Sequence, residues 1–436
     1  MSDSRGLPTK APANEGVELA VARSAAGGPL NRAYRGSAIA ITHSWTRTHS
    51  ELQRLRDGTV LPMTMTDRTF LITGATGFLG GAVTVAALRA GYGRQLRLLA
   101  RGSIEGSPQL RLLTNLRRLG ATEFELRTLG EDFVLEADLA RDGAIKGHPQ
   151  LRSVERVIHA AALPTFSNNP AIRAVNVEGT LALAHALNPA AMKRFLFVGT
   201  AMAVGPSKGR GSLIDESEEL GDDEDHLVPY TASKAEAERR LRAELPDLPL
   251  VIARPSIVVG HTELGVAPSQ SIFWVFLVGH MLGAFTCELA DSIDVIPADW
   301  CANALLQLAT RESLVHDLYH VSAGKESSVT IRDLDEVLAK ARRVAPMAGS
   351  YRKIEQTDIA GILPRMRDLV PGANRRLLLR AMQLYGGFAE LNYVFDSNRL
   401  LGEGLSASPP FTSYLSRCVE TARGIPIAEQ MKWDFK

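Results

Sequence analysis

Phe70-Leu71-Ile72-Thr73-Gly74-Ala75-Thr76-Gly77-Phe78-Leu79-Gly80 is the stretch that decides the fold. A short apolar run enters a turn with glycines spaced GxxGxxG, and a helix-forming stretch, Ala82–Arg89, follows. The order is strand, tight turn, helix. Gly74 allows the turn, Gly77 lets the backbone approach a pyrophosphate, and Gly80 lets the helix pack close to the strand. The turn residues Thr76, Phe78 and Leu79 open the helix, whose free N–H groups and positive dipole end suit phosphates. Such glycines by themselves also fit a loop that merely turns. Their place directly after a strand and before a helix favours a ligand cradle.

Working outward, Leu96–Ala100 reads as a second strand, Phe133–Leu135 as a third, Arg156–Ala160 as a fourth, Arg194–Val198 as a fifth and Leu250–Ala253 as a sixth. Helical segments separate most of them. Short apolar strands alternating with helices imply an α/β fold, a parallel sheet covered on both faces, with ligands at the carboxyl ends of the strands. After Gly260 the alternation stops, and residues 261–290 read as an insertion. Val295–Leu308 returns to the sheet layer, and Leu318–Ser322 adds a last strand. Residues 323–436 hold helices and turns without a βαβ rhythm. The expected division is 67–260 with 291–322 for the nucleotide-binding part, and 261–290 with 323–436 for a smaller, mostly helical substrate lobe. Residues 1–66 lack a sustained apolar period and are expected to be a disordered extension. Met63 and Met65 stand just before the first strand, and a chain starting at Met63 is expected to fold.

The 436 residues are 45% hydrophobic and 22% charged, with a formal net charge of +1. A field that would draw the chain to nucleic acid or to acidic membranes is not expected from that balance. Cys287, Cys301 and Cys418 are far apart, which argues against a disulfide framework or a zinc site and fits a reducing cytoplasm. The apolar run Ile272–Cys287 is about 16 residues, short of the roughly 20 that a spanning helix needs, so a buried helix or an apolar substrate wall is expected.

The second strand ends Leu99-Ala100-Arg101. An acid at this place would hold the ribose 2′-hydroxyl of NAD, whereas an arginine suits the 2′-phosphate of NADP through charge-assisted contact. An ordinary solvated arginine is the alternative. Asp138, with Leu139 beside it, follows the third strand and can accept from an adenine amine or simply hold a turn. Tyr230-Thr231-Ala232-Ser233-Lys234 opens a helix-forming run, and positions i and i+4 share a face. A neighbouring ammonium favours a phenolate, so Lys234 is expected to lower the Tyr230 pKa. Upstream, Thr200 stands at the carboxyl end of the fifth strand, where a hydroxyl can hold a carbonyl oxygen or cap a turn. Each piece is weak alone; the three together, in this order on this kind of fold, point to hydride-transfer chemistry.

TGATGFLG, the VGTAMAVG strand end, YTASK and Val175–Thr180 together resemble the extended short-chain dehydrogenase/reductase superfamily over about residues 67–325. That resemblance implies a Rossmann domain, the catalytic set Thr200, Tyr230 and Lys234, and a nicotinamide cofactor near Ala160, Ala161 and Pro255. Finer features are similar to the branch of fatty acyl-CoA and thioester reductases: His159-Ala160-Ala161, Arg254–Val258, Ile293–Asn303, Tyr319–Gly324 and the pair Phe395-Asp396. Met202 and Gly199 stand where that branch often has an aromatic and a serine. The branch implies NADPH-dependent reduction of an acyl thioester or long-chain aldehyde, on a small hydrophobic substrate. It implies neither a metal nor a membrane span, and leaves peripheral membrane contact and a homodimer open. A nucleotide-sugar epimerase or dehydratase, a steroid-type dehydrogenase, and a non-catalytic dinucleotide-sensing protein are the alternatives. Smaller features have plain readings: His159 a packed strand-end residue, Asn176 a helix-ordering one, Asp299 a helix cap near Trp300, and Arg375–Phe388 a lobe helix. The acidic run Asp215–Asp225, with eight acids in eleven residues, reads as a solvated loop.

Overall fold

The sequence that opens the fold forms β1, Thr69–Thr73, and each of its five residues is buried. A computed structural model describes residues 69–433, apart from 104, 105, 142, 167, 217, 218, 223 and 224. The expected extension 1–66 lies outside the described residues. After β1 come α1 (Phe78–Arg89), β2 (Leu96–Ala100), α2 (Pro108–Arg118), β3 (Val134–Glu136), β4 (Val154–His159), α3 (Gly179–Ala186), β5 (Arg194–Val198), α4 (Pro229–Glu244) and β6 (Leu250–Pro255). There follow α5 (Phe273–Leu282), α6 (Ala298–Thr310), β7 (Leu318–Val321), α7 (Ile331–Arg342), α8 (Arg375–Leu391) and α9 (Phe411–Ala422).

The seven strands form one sheet in the order β7-β6-β5-β4-β1-β2-β3, with every neighbouring pair parallel. This is a Rossmann-type doubly wound sheet. The strand order reverses between β1 and β4, and the crevice at their carboxyl ends is where such sheets take ligands. The strands read as unbroken apolar runs because both faces are covered. Phe70 and Ile72 pack into one cluster with α1, α2 and α6, while Leu71 packs into another with α3 and α4. Leu196 and Val198 against Phe195 and Phe197 divide in the same way along β5.

Residues 261–290 do not pack into either sheet cluster. Trp274, Val278 and Leu282 of α5 join Met382 and Tyr385 of α8 in one further cluster, and Phe273 and Leu277 join Leu334 of α7 and Leu415 of α9 in another. Ile257–Val258 and Val295–Ile296 pair in parallel as two-residue strands on either side of this insertion, returning the chain to α6. Among the described residues, no helix is long and apolar enough to cross a membrane.

Candidate active site

A cavity of about 960 Å³ opens at the carboxyl ends of β1 to β6 and continues along the inner faces of α5, α7 and α8. The residues expected from the sequence to bind the cofactor or act in catalysis line it: Gly74, Thr76, Gly77, Phe78, Leu79, Gly80, Arg101, Asp138, Leu139, Ala160, Ala161, Thr200, Tyr230, Lys234 and Pro255.

The glycine turn is built by contact as well as by conformation. Gly74 has a φ of +77°, and a Cβ there would meet the Ala160 carbonyl at 2.7 Å. A Cβ on Gly80 would lie 2.4 Å from the Gly74 oxygen. Gly80 therefore packs α1 onto the turn itself, whereas the sequence suggested packing on the strand. Gly77 is the N-cap of α1 and offers no side-chain cap, so the first-turn N–H groups stay available. Asn115 pins the turn from α2: its Nδ2 donates to the oxygens of Ala75 and Gly77, each at 2.8 Å. This cradle fits the pyrophosphate of a dinucleotide, since the glycines leave room for close approach and the helix end supplies donors.

At the other end of the nucleotide stretch, Arg101 is exposed and lines the cavity together with Arg111 and Arg118. Arg111 Nη1 donates to the Arg101 oxygen at 2.9 Å, and Arg118 Nη2 donates to Asn115 Oδ1 at 2.5 Å. Residues 111, 115 and 118 share a face of α2 by their i, i+4, i+7 spacing. That spacing was readable in the sequence once α2 was placed over the crevice. Asp138 Oδ1 accepts from Ala140 N at 3.0 Å, so the carboxylate does hold a turn while it lines the cavity.

Tyr230 and Lys234 lie in the first two turns of α4. Lys234 is 2% exposed; its Nζ donates to the Val198 oxygen at 2.7 Å and stands 4.7 Å above the Phe197 ring. Burial pushes the Tyr230 phenol up to about 12 and the Lys234 ammonium down to about 7. The sequence argument expected the lysine to lower the tyrosine. Desolvation outweighs it here, because both groups leave water and the lysine's hydrogen goes to a backbone oxygen. Thr200 caps the short 3₁₀ turn after β5, and its Oγ1 accepts from Met202 N at only 3.4 Å, which leaves its hydrogen free to donate.

A buried polar chain backs this group. Asn176 sits in a π-helical turn, where its Oδ1 accepts from Leu163 N at 2.7 Å and its Nδ2 donates to Ser233 Oγ at 2.9 Å. Ser233 Oγ donates onward to the Tyr230 oxygen of the backbone at 2.7 Å. Asn176 thus joins the α3 segment to α4, more than the helix-ordering role its sequence suggested. His159 is a packed strand-end residue, held between Thr73 Oγ1 at 2.9 Å and Thr180 Oγ1 at 2.8 Å, and burial lowers it to about 3.

Two further readings change. Asp299 accepts from Thr262 N at 3.0 Å and ties down the loop after β6; it is not the cap of α6, whose N-cap is Pro297. Within the acidic run, Glu216 is buried and accepts from the backbone N–H groups of His320 and Arg399, each at 2.8 Å, and burial raises it to about 7. A solvated loop would not contain such an acid. Sequence reasoning also missed Asp294, a cavity-lining acid that accepts from Ala323 N at 2.7 Å and Phe395 N at 3.0 Å. Its signal was present in IDVIPADW, but its partners lie 29 and 101 residues away.

The lobe supplies an apolar wall. Ile272, Val275, Phe276 and Gly279 line the cavity from one face of α5, while Phe273, Trp274 and Leu277 face the lobe core. Ring contacts lead from Tyr230 to Phe166 at 6.4 Å, and from Phe166 to Tyr385 at 5.5 Å and Phe388 at 5.7 Å on α8. No sequence spacing linked Phe166 to α8.

Comparison with known proteins places this geometry in a family. A family model described as male sterility protein, an NAD-binding domain, matches residues 72–305. The chain belongs to that family, and with it to the extended short-chain dehydrogenases/reductases. A Drosophila melanogaster protein that bears a fatty acyl-CoA reductase name is 26% identical over 65% of this chain and 60% of its own length. Aldehyde reductase lnbA of Aspergillus flavus is 24% identical over 57% of this chain and 26% of its own. The chain thus spans less than two thirds of either relative. Among solved structures, the terminal R domain of the myxalamid PKS-NRPS pathway shares the fold, with a TM-score of 0.66, 23% identity, and coverage of 83% of this chain and 92% of that one.

Proposed function

We propose that this protein is an NADPH-dependent reductase of a hydrophobic carbonyl substrate, an acyl thioester or a long-chain aldehyde. The observation that carries the reading is the continuity of the cavity, which runs from the glycine turn past Tyr230 and Lys234 to the apolar faces of α5 and α8. Gly74 to Gly80 would hold the pyrophosphate, Arg101 the 2′-phosphate with Arg111 and Arg118 near it, and Lys234 the nicotinamide ribose. The cofactor supplies the hydride. Thr200 donates a hydrogen bond to the carbonyl oxygen and Tyr230 gives that oxygen its proton, from a phenol that is protonated at neutral pH. The Asn176–Ser233 bridge holds the first turn of α4 in place while it does so. The apolar wall excludes water from the acyl chain and supports a fatty rather than a sugar-nucleotide substrate.

Two measurements test this. Arg101→Ala is expected to weaken NADPH binding by about 1–3 kcal/mol, the loss of a charged hydrogen bond, and to leave NADH binding nearly as it was. Equal losses for both cofactors, or an initial preference for NADH, would defeat the assignment of Arg101. Second, catalytic efficiency over aldehydes or thioesters of rising chain length should climb on the order of tenfold per added pair of carbons before levelling off, since each buried CH₂ is worth about 0.8 kcal/mol. A flat profile joined to turnover of a UDP- or dTDP-sugar would overturn the substrate class.

A further inference from the structure

One aromatic side chain of the sheet layer reaches across to the lobe. Phe166 stands in the loop between β4 and α3, lines the cavity and is half-buried. Its ring meets Tyr230 at 6.4 Å, and it also meets Tyr385 at 5.5 Å and Phe388 at 5.7 Å on α8. All four rings line the same cavity. Trp274, which is fully buried, meets Tyr385 edge-on at 6.1 Å, and Phe166 packs against the lobe cluster that these two help to form. The loop is fixed as well as the ring. The buried Asn176 accepts from Leu163 N, three residues before Phe166, and donates to Ser233 Oγ, three residues after Tyr230. Pro164 stiffens the backbone between Leu163 and Phe166. One buried amide thus sets the loop of Phe166 and the helix of Tyr230 against each other. A ring held at its loop and at its neighbours has few rotamers open to it.

A carbonyl oxygen that accepts from Thr200 and Tyr230 puts its carbon at this corner of the cavity. A chain that continues from there to the wall of α8 passes Phe166, which touches both. We infer that Phe166 is a specificity-determining residue: it narrows the cavity beside the reacting carbon, so that an unbranched chain passes and a branch on the adjacent carbon does not. A branch would have to displace the ring. Tyr385 and Trp274, against which the ring is set, are 9% and 0% exposed, so packed side chains stand where it would move. Forcing extra methylene groups into such a wall costs more than their burial returns. The cavity therefore treats added carbons in opposite ways: at the far end they gain burial, and beside the carbonyl they collide with Phe166. The inference rests on the proposed reading and names its substrate class more closely: a carbonyl at the end of a chain that is straight at its first carbons.

The test uses the full chain and has two arms. In the first, equilibrium binding in the presence of saturating NADP⁺ is compared for straight primary alcohols and for their isomers with an ethyl branch on the carbon next to the CH₂OH group. The straight alcohol should bind more tightly by about tenfold or more, the scale on which an apolar pocket discriminates by a methylene group. Phe166→Ala should bring that ratio to near one and raise the affinity for the branched isomer. Phe166→Leu, which keeps part of the volume, should fall between. A ring that served packing alone would, on removal, weaken both isomers alike and leave the ratio unchanged. Equal binding of the isomers by the unaltered protein, binding of neither, or a ratio that survives both substitutions overturns the inference. In the second arm, reduction of the corresponding aldehydes is followed with NADPH. Failure to reduce either, with the binding ratio and its dependence on Phe166 intact, overturns the reductase reading and leaves the role of Phe166 standing.

Discussion

Tyr230→Phe is expected to lower turnover at saturating substrate by about 10²–10⁴-fold, the range that a positioned general acid contributes. The change removes one oxygen and keeps the ring, so the 6.4 Å contact with Phe166 and the packing of α4 should survive. A phenol at its ordinary value near 10 is already protonated at neutral pH, burial moves Tyr230 further up, to about 12, and a protonated donor is what a developing alkoxide requires. The loss should therefore fall on kcat, with NADPH affinity changed by less than about fivefold, because one absent hydroxyl is worth at most a neutral hydrogen bond of roughly 1 kcal/mol. Lys234→Met should differ in kind. Its Nζ is bonded to the Val198 oxygen at the end of β5, beside the expected ribose site, and its loss should weaken cofactor binding as well as turnover. Stopped-flow single turnovers with prebound NADPH separate the two variants. Near-normal single-turnover rates in Tyr230→Phe would mean that another group supplies the proton.

The parts of this site that were legible in the sequence are those in which the chemistry is local. β1 and β5 read as strands because both faces are buried and their residues are nearly all apolar. The glycine turn was legible because the pattern, the strand before it and the helix after it are contiguous. Tyr230 and Lys234 were legible because helical spacing places them on one face. What the sequence hid is non-local. Phe166 faces Tyr385 and Phe388 from more than 200 residues away, and Asp294 bonds Phe395 across 101 residues. The run Ile272–Cys287 is apolar enough to imply a buried helix or a substrate wall, yet its spacing could not say that Phe273 and Leu277 face the core while Phe276 faces the cavity. Glu216 was lost within a run of acids, because burial by a distant strand end leaves no mark on the acid's own neighbours. The Tyr230 pKa went the other way from the local argument, since desolvation depends on everything packed around the pair and not on the i+4 spacing.

Glu238 is the next residue on the face that carries Tyr230 and Lys234, one turn further along α4, and it ends in a buried ion pair. Its two oxygens accept from Arg254 Nη2 at 2.7 Å and Nε at 3.1 Å, with both side chains 2% exposed. Arg254 belongs to β6, directly before the cavity-lining Pro255, so the pair ties α4 to the strand that forms the other side of the cavity. His320 is its register partner on β7 and is kept neutral, down to about 3, by burial and by Arg254 itself, so it does not compete for Glu238. Removal of one partner strands an uncompensated charge out of water, and a buried pair broken in that way costs about 3–5 kcal/mol. Glu238→Gln and Arg254→Met should each show this loss in denaturant unfolding, with kcat falling as the first turns of α4 lose their anchor. The double variant Glu238→Leu with Arg254→Met removes both charges and keeps the volume, and it should recover most of the stability, because apolar replacement of a buried pair is often neutral or better. Its kcat need not recover with it, since two methyl-ended side chains do not fix the helix at one angle as a two-point ion pair does. Single losses below about 1 kcal/mol, or a double variant as unstable as the sum of the two, would show that the pair is not what holds α4 against β6.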